Sequence, residues 1–270
     1  MGTVEYVHGY SNEETQRLSD QANTLSELLH YDTVFNPPGI VLEVGCGTGA
    51  QTVIIAPKNP QCRFISVDID DGSLRKAEEH IKKEQICNVK FQVADVFDLP
   101  FDKESVDHIF ICFLLEHLRN PAGALAALKS VLKKGGTITV IEGDHGSAYY
   151  HPRSPAAQAV IQCLIDLQAS AGGNSLIGRE LYPLLVNTGY RNVCVSPRVV
   201  YADASRPKMV EGFTKKTFIA MVEGIKELAV NRGLITEEDW NRGIFELKRT
   251  ADPDGTFSYT FFKAIGKKPD

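Results

Sequence analysis

No apolar run in the chain approaches the roughly 20 residues that a membrane-crossing helix needs. Membrane association is not expected. Basic runs are also missing. Lys82-Lys83, Lys133-Lys134 and Lys215-Lys216 are isolated pairs, and the net charge is −5. Nucleic-acid affinity is dominated by neutralised phosphates, so this balance disfavours nucleic acid as a partner. The six cysteines (Cys46, Cys62, Cys87, Cys112, Cys163 and Cys194) form no C-x-x-C pair. They read as reduced, mostly core-filling residues of a cytoplasmic protein. Asp144, His145 and His151 lie close together, but their spacing matches no common zinc or iron pattern, so no metal is expected. No G-x-S-x-G elbow is present, which removes a serine-hydrolase reading. Met1 to Ser11 is polar and lacks the apolar centre of a signal peptide. Internal repeats and low-complexity segments are absent.

What is present is ordinary in bulk and specific in one place. The 270 residues are 43% hydrophobic and 23% charged, which suits one large soluble α/β domain. The specific place is Val41 to Gly49, Val-Leu-Glu-Val-Gly-Cys-Gly-Thr-Gly. A short apolar strand ends there in glycines at alternate positions, and a helix-like run follows. Glycine lets backbone approach a ligand closely and adopt positive φ. Strand, glycine turn and helix together make a nucleotide cradle. The dinucleotide fingerprint is G-x-G-x-x-G. Gly45, Gly47 and Gly49 instead give G-x-G-x-G, with Glu43 two residues ahead.

The rest of the chain supplies the expected punctuation. Leu18, Ala22, Leu25, Leu28 and Leu29 mark one face of a leading helix, with Ser11 and Glu14 at capping-box spacing. Strand 1 is expected at Ile40–Val44 and strand 2 at Phe64–Ile69. Asp68 falls 19 residues after Gly49. A carboxylate at that place can accept hydrogen bonds from both hydroxyls of a ribose. Asp70 reads as the N-cap of a helix over Ser73–Lys83. Strand 3 is expected at Val89–Val93, strand 4 at Ser105–Phe113 and strand 5 at Thr137–Glu142. Short apolar strands joined by crossovers imply a parallel sheet with right-handed connections. Beyond Glu142, residues up to Pro152 read as a polar, aromatic loop. Helices follow at Ala156–Ser170 and Gly178–Asn187, and then strand 6 at Tyr190–Tyr201. Two further helices, one carrying Phe218 to Ala229 and one starting at Thr236, precede a last strand at Thr256–Ile265.

The E-x-G-x-G-x-G motif resembles the first motif of class I S-adenosylmethionine (SAM) dependent methyltransferases. Asp68, Asp95-Val96, the Leu114–Leu118 segment and Lys133-Lys134-Gly135-Gly136-Thr137 extend that resemblance over roughly residues 39–142. It is nearest to the small-molecule group typified by ubiquinone and menaquinone biosynthesis methyltransferases. The resemblance implies an α/β, Rossmann-like sheet of seven mostly parallel strands, the last antiparallel, with helices on both faces. It implies a single domain. Residues 1–38 would be an N-terminal helical cap, 39–202 the SAM-binding core, 203–254 a helical lid insertion and 255–270 the final strand. SAM would be the cofactor. Glu43 would fix the glycine loop, and Gly45, Gly47 and Gly49 would cradle the aminoacyl part. Asp68 would hold the ribose, Ile69 would pack on adenine, and Asp95 and Val96 would read its edge. Cys46, Gln51, Phe113, Tyr10 and Arg17 complete the expected cofactor set.

The reaction is less legible. Methyl transfer from a sulfonium is an in-line displacement, so the protein supplies mainly positioning, desolvation and sometimes a base. Glu116, His117, Asp144, His145 and His151 are candidates for that base, with His117 and His145 preferred as catalytic residues. The acceptor is read as a small molecule, with O, N, S or C left open, and the protein as a monomer or homodimer. Two alternatives stay open. One is a sensor or scaffold that binds SAM or its demethylated product without turnover. The weaker one is an NAD(P) oxidoreductase, which has the wrong glycine spacing and leaves Asp95 unexplained.

Overall fold

The structure is a computed structural model that describes the backbone from residue 12 and side chains from residue 16, through residue 270. The chain divides into two compact units. A sheet unit comprises Leu29–Glu142, Ile177–Pro197 and Phe262–Asp270. A helical unit comprises, among the described residues, those from 12 to 28, Gly143–Leu176 and Arg198–Phe261. The 203–254 segment lies wholly within the helical unit.

Among the described residues one seven-stranded sheet has the order β3-β2-β1-β4-β5-β7-β6. Its strands are β1 (Ile40–Val44), β2 (Arg63–Asp68), β3 (Val89–Val93), β4 (Val106–Cys112), β5 (Leu132–His151), β6 (Arg191–Ala202) and β7 (Thr256–Lys267). The pairs β1/β2, β2/β3, β1/β4 and β4/β5 are parallel. β7 runs antiparallel to β5, with Gly135 N–H donating to Lys268 O at 3.0 Å and Lys268 N–H to Gly136 O at 2.9 Å. The inner strands are nearly continuous in Val, Ile, Leu and Phe because both their faces are covered. Leu42, Val44, Ile109, Ile111, Ile138 and Val140 are all buried in one cluster with Leu125 and Leu128 of α4 (Pro121–Val131).

Local signals fix the helices of the sheet unit. α2 is Thr52–Lys58 and α3 is Asp71–Lys83. Asp70 caps α3 as expected, accepting from Ser73 N–H at 2.6 Å. Asn120 caps α4 through Gly123 N–H at 2.9 Å. Only part of the segment expected to be a helix at Gly178–Asn187 is α-helical. A 3-10 turn at Ile177–Glu180 leads into α6 (Leu181–Asn187).

β5 corrects the sequence reading most. It continues from Glu142 to His151, so the expected polar loop is strand. Its partner there is β7, more than 100 residues away, and nothing local announces that pairing. The hydroxyl of Ser147 accepts from Thr260 N–H at 2.8 Å.

In the helical unit, α1 (Asn12–His30, which it holds up to Leu28) buries Ala22 and Leu25 on the expected face. α5 (Pro155–Ser170) packs along α10 (Glu237–Lys248), and α10 is capped by Thr236 accepting from Asp239 N–H at 3.1 Å. The helix expected through Phe218 is not continuous. After α7 (Pro207–Met209) comes a π-helix at Val210–Ile219, then α8 (Ala220–Glu223), a break at Gly224 and α9 (Lys226–Asn231). The Thr217 hydroxyl donates to Gly212 O at 2.8 Å, five residues back, and so supports the wider turn.

Candidate functional site

The glycine turn sits at the carboxyl end of β1, within the sheet unit. Gly45, Gly47 and Gly49 all have positive φ, at 72°, 51° and 76°, which side chains of L-residues rarely adopt. Hydrogen bonds tie the turn to β2. Gly45 N–H donates to Val67 O at 2.8 Å and Cys46 N–H to the same oxygen at 3.1 Å. Gly47 N–H donates to Asp68 Oδ2 at 2.8 Å. A Cβ placed on Gly47 would meet nothing within 4 Å, so that face of the turn is open space. A Cβ on Gly45 would lie 2.8 Å from Leu114 Cδ1.

Two carboxylates flank this turn in different ways. Glu43 is fully buried, and its Oε2 accepts the hydroxyls of Thr52 at 2.8 Å and Ser66 at 2.6 Å. Burial pushes its pKa from 4.5 up to about 7, aided by the charge of Asp68, while the two hydroxyl bonds oppose the rise. Glu43 is a structural clamp under the turn. Asp68 stands at its rim. Its Oδ1 accepts from Asp70 N–H at 3.0 Å and its Oδ2 from Gly47 N–H. Burial raises its pKa and the backbone bonds lower it. Each oxygen retains a lone pair for a further donor.

Ile69, which follows Asp68 in the chain, is 61% exposed and Phe97, in the turn after β3, is 48% exposed, both unusual for such residues. Asp95 is exposed as well, and its Oδ1 accepts from Phe97 N–H at 2.9 Å, while Val96 is buried. Ala94 N–H donates to Asp68 O at 3.0 Å, joining the two acidic turns. An acceptor for a diol, flanked by apolar faces and a second acidic turn, suits a nucleoside. Glu43, Gly45, Cys46, Gly47, Gly49, Asp68, Ile69, Asp95 and Val96 are therefore brought together as one contiguous edge.

The segment after β4 adds a third wall. Phe113 has φ 59°, and its N–H donates to Ile141 O at 2.9 Å. Glu142, fully buried, accepts through Oε1 from Leu114 N–H at 3.0 Å and Leu115 N–H at 2.7 Å. Burial and the neighbouring Glu116 push the Glu142 carboxyl well above the usual carboxylate range. His117 Nε2 lies 3.6 Å from Glu116 Oε1, and the His117 side chain is 21% exposed.

Of the remaining expected residues only Gln51 adjoins the turn. Gln51 follows the glycine turn and bonds through Oε1 to His30 Nε2 at 2.8 Å. Arg17 belongs to the helical unit, where its Nη1 donates to Gln21 Oε1 at 2.9 Å. Tyr10 lies outside the described residues, as do Ser11 and the side chain of Glu14. His145 is also in the helical unit and only 5% exposed. Its Nδ1 is 2.8 Å from the Tyr259 hydroxyl and its ring packs on Phe218.

Sequence reasoning missed Glu142, which holds the post-β4 turn, and His30, which contacts Gln51. Neither carries a local motif. Both contacts join residues more than 20 positions apart.

Comparison with known proteins identifies the family and the fold. The family described as "Methyltransferase domain" matches residues 37–188. An uncharacterized methyltransferase of Schizosaccharomyces pombe is 32% identical over 156 residues, covering 56% of this chain and 56% of that protein. The demethylmenaquinone methyltransferase of Tropheryma whipplei is 34% identical over 112 residues, covering 42% of this chain and 45% of that protein. The chain thus spans about half the length of these curated relatives. Among solved structures, phosphoethanolamine N-methyltransferase 2 of Haemonchus contortus, in complex with phosphomonomethylethanolamine and S-adenosylhomocysteine, has a TM-score of 0.56. It is 16% identical, and the match covers 92% of this chain and 53% of that one. YcgJ of Bacillus subtilis gives a TM-score of 0.58 at 15% identity, over 93% and 98% of the two chains. At such identities the likeness is one of fold. The family match spans more than half of the residues and includes the glycine turn, Asp68 and Asp95, so the chain belongs to the methyltransferase-domain family, on the class I fold of SAM-dependent methyltransferases.

Proposed function

We propose that this protein transfers a methyl group from SAM to a small-molecule acceptor. One observation carries the reading. The open, positive-φ turn at Gly47 is hydrogen-bonded to a rim carboxylate, Asp68, that still has lone pairs to offer. That donor and acceptor set fits a nucleoside with a charged tail. Bound SAM would supply an activated methyl on a sulfonium leaving group. The chain's own residues then have limited work. Asp68 accepts the ribose hydroxyls, and the exposed faces of Ile69 and Phe97 flank the base. Asp95 and the Val96 amide read its edge. Gly45, Cys46, Gly47 and Gly49 give the tail a close backbone surface, which Glu43 holds from below.

For the acceptor, the sheet unit offers His117 beside Glu116. The imidazole would take the proton that an O–H, N–H or S–H acceptor must lose, and the Glu116 carboxylate 3.6 Å away would stabilise the imidazolium by its charge. His145 has no part in this reading, because its ring is packed among aromatics. Relatives named for small-molecule methylation support an acceptor of that class.

Calorimetric titration with S-adenosylhomocysteine (SAH), SAM and NADH tests the proposal. Micromolar binding of the first two and none of NADH is expected. Label from methyl-labelled SAM should then appear in a small-molecule product from a metabolite extract. Absence of SAH and SAM binding would overturn the reading. Binding with no labelled product would overturn its catalytic half and leave a sensor.

A further inference from the structure

A buried polar chain runs from the last strand to the residue that follows the glycine turn. All of its members lie in the sheet unit. Lys263 on β7 is 1% exposed, and its Nζ donates to Thr33 Oγ1 at 2.7 Å and to Asp32 Oδ1 at 2.7 Å. Thr33 Oγ1 is 3.2 Å from His30 Nδ1. His30 Nε2 is 2.8 Å from Gln51 Oε1. Gln51 is two residues past Gly49 and half-buried.

Elementary hydrogen-bond bookkeeping gives this chain a direction. An ammonium can only donate, so Thr33 Oγ1 accepts from Lys263. Thr33 then has one proton and one lone pair left, and only donation of the proton to Nδ1 agrees with the Gln51 Oε1 that faces Nε2, so Nδ1 accepts it. Burial holds His30 down to about 4, with the charges of Lys263 and Lys58 acting the same way, so the ring is neutral near pH 7. In a neutral ring with an accepting Nδ1, the proton is on Nε2. Nε2–H donates, and Gln51 must turn its carbonyl oxygen toward it. The Gln51 amide nitrogen, with two donors, is thereby turned away from His30. It has no protein partner among the described residues.

We infer that His30, Thr33 and Lys263 are positioning residues that fix the flip of the Gln51 side chain, and that the outward amide nitrogen donates to the carboxylate of the bound amino-acid tail. This rests on the SAM reading above and names the group that recognises the ligand's anionic end. A freely flipping glutamine would present its oxygen to that carboxylate about as readily as its nitrogen. The buried lysine, by occupying one lone pair of Thr33 Oγ1, disfavours the wrong flip.

The test compares SAH with 5′-methylthioadenosine, which has the same nucleoside but no amino-acid tail. Gln51→Leu should weaken SAH by roughly 10-fold or more and methylthioadenosine by less than about 2-fold. His30→Leu, which frees the flip, should cost SAH roughly 3-fold with the same selectivity. Nitrogen-15 NMR of the wild-type protein gives a readout that needs no variant, and the Nε2–H tautomer of His30 is expected. Equal losses for both ligands in Gln51→Leu, or an Nδ1–H tautomer, would overturn the inference while leaving the SAM reading intact. Failure of wild-type protein to bind either ligand would overturn both.

Discussion

The two compact units bury different things. Around the glycine turn the sheet unit buries polar groups and partners them. Glu43 is held by two hydroxyls, His30 by Thr33 and Gln51, and Lys263 by Asp32 and Thr33. The helical unit buries rings. Phe213, Phe218, Phe257, Tyr259 and Phe261 pack with centroids 4.7–6.5 Å apart, and His145 sits among them. Among the described residues its buried hydroxyls Ser175 Oγ and Thr214 Oγ1 have no hydrogen-bond partner, and in the sheet unit the same holds for Glu142 Oε2, away from the polar groups just named. Hydrogen bonds fix direction and place donors and acceptors for a ligand. Ring packing fixes volume. The first arrangement is expected to govern recognition and pH response, and the second to govern stability.

The largest effect should therefore come from the rings. Phe218 is 1% exposed and touches Phe213, Phe257, Tyr259 and His145. Phe218→Ala should lose about 3–5 kcal/mol of stability through lost burial and the cavity left behind. Urea denaturation measures it. A loss under about 1 kcal/mol would mean the cluster is loosely packed, and the contrast between the units would fail.

The second effect is in the sheet unit and depends on pH. Glu43 has a folded pKa of about 7 against an ordinary 4.5, chiefly because it is buried. Between those values the folded state binds the proton more tightly than the unfolded state does. Stability from this group is thus fully present below pH 4.5 and is lost as pH rises through 7. The loss should be on the order of 3 kcal/mol across that window. Glu43→Gln keeps a neutral acceptor beneath Thr52 and Ser66 and should flatten that part of the profile. Stability measured at intervals from pH 5 to 8 decides it, and parallel profiles for the two proteins would sink the assignment.

The same contrast explains what was legible in the sequence. β1, β3 and the ends of β2 and β4 lie within a residue or two of expectation, because buried parallel strands are short apolar runs bounded by Gly, Pro and Asp. The Asp70 cap and the helix start at Thr236 were legible for a similar reason, as the capping partners are three residues away. The glycine turn, Asp68 and Asp95 are marked by spacing alone. The His30–Gln51 bond joins residues 21 apart, and the Lys263–Thr33 bond joins residues 230 apart. Such pairings leave no local periodicity. The stretch around His145 shows the converse. Its place after the expected end of strand 5 made it look loop-borne, yet β5 continues through it and His145 packs in the ring cluster. A histidine in sequence carries no sign of which strand will pair beside it.

Asp68 tests recognition directly. Asp68→Ala should weaken SAH by about 2–3 kcal/mol through two lost charge-assisted hydrogen bonds. Its effect on stability should be smaller, since the residue sits at the rim and its folded form already bears the cost of burial. Calorimetry with SAH and a denaturation curve on the same sample separate the two. Unchanged SAH affinity in the folded variant would remove Asp68 from the site.

The smallest effects sharpen the contrast within the glycine turn itself. Gly45→Ala and Gly47→Ala both force an L-residue into positive φ, which costs about 1–2 kcal/mol. They differ in what the new methyl meets. At Gly45 it meets Leu114 at 2.8 Å, so this variant should be the less stable of the two by roughly another 1 kcal/mol of overpacking. At Gly47 it meets no protein atom within 4 Å, so strain is the whole stability cost. If that space holds the ligand's tail, Gly47→Ala should lose SAH affinity out of proportion to its modest loss of stability, and Gly45→Ala should do the reverse. Denaturation and SAH titration of both variants give four numbers and one ordering. An SAH affinity in Gly47→Ala equal to wild type would mean that the open face of the turn points at solvent and that the tail binds elsewhere.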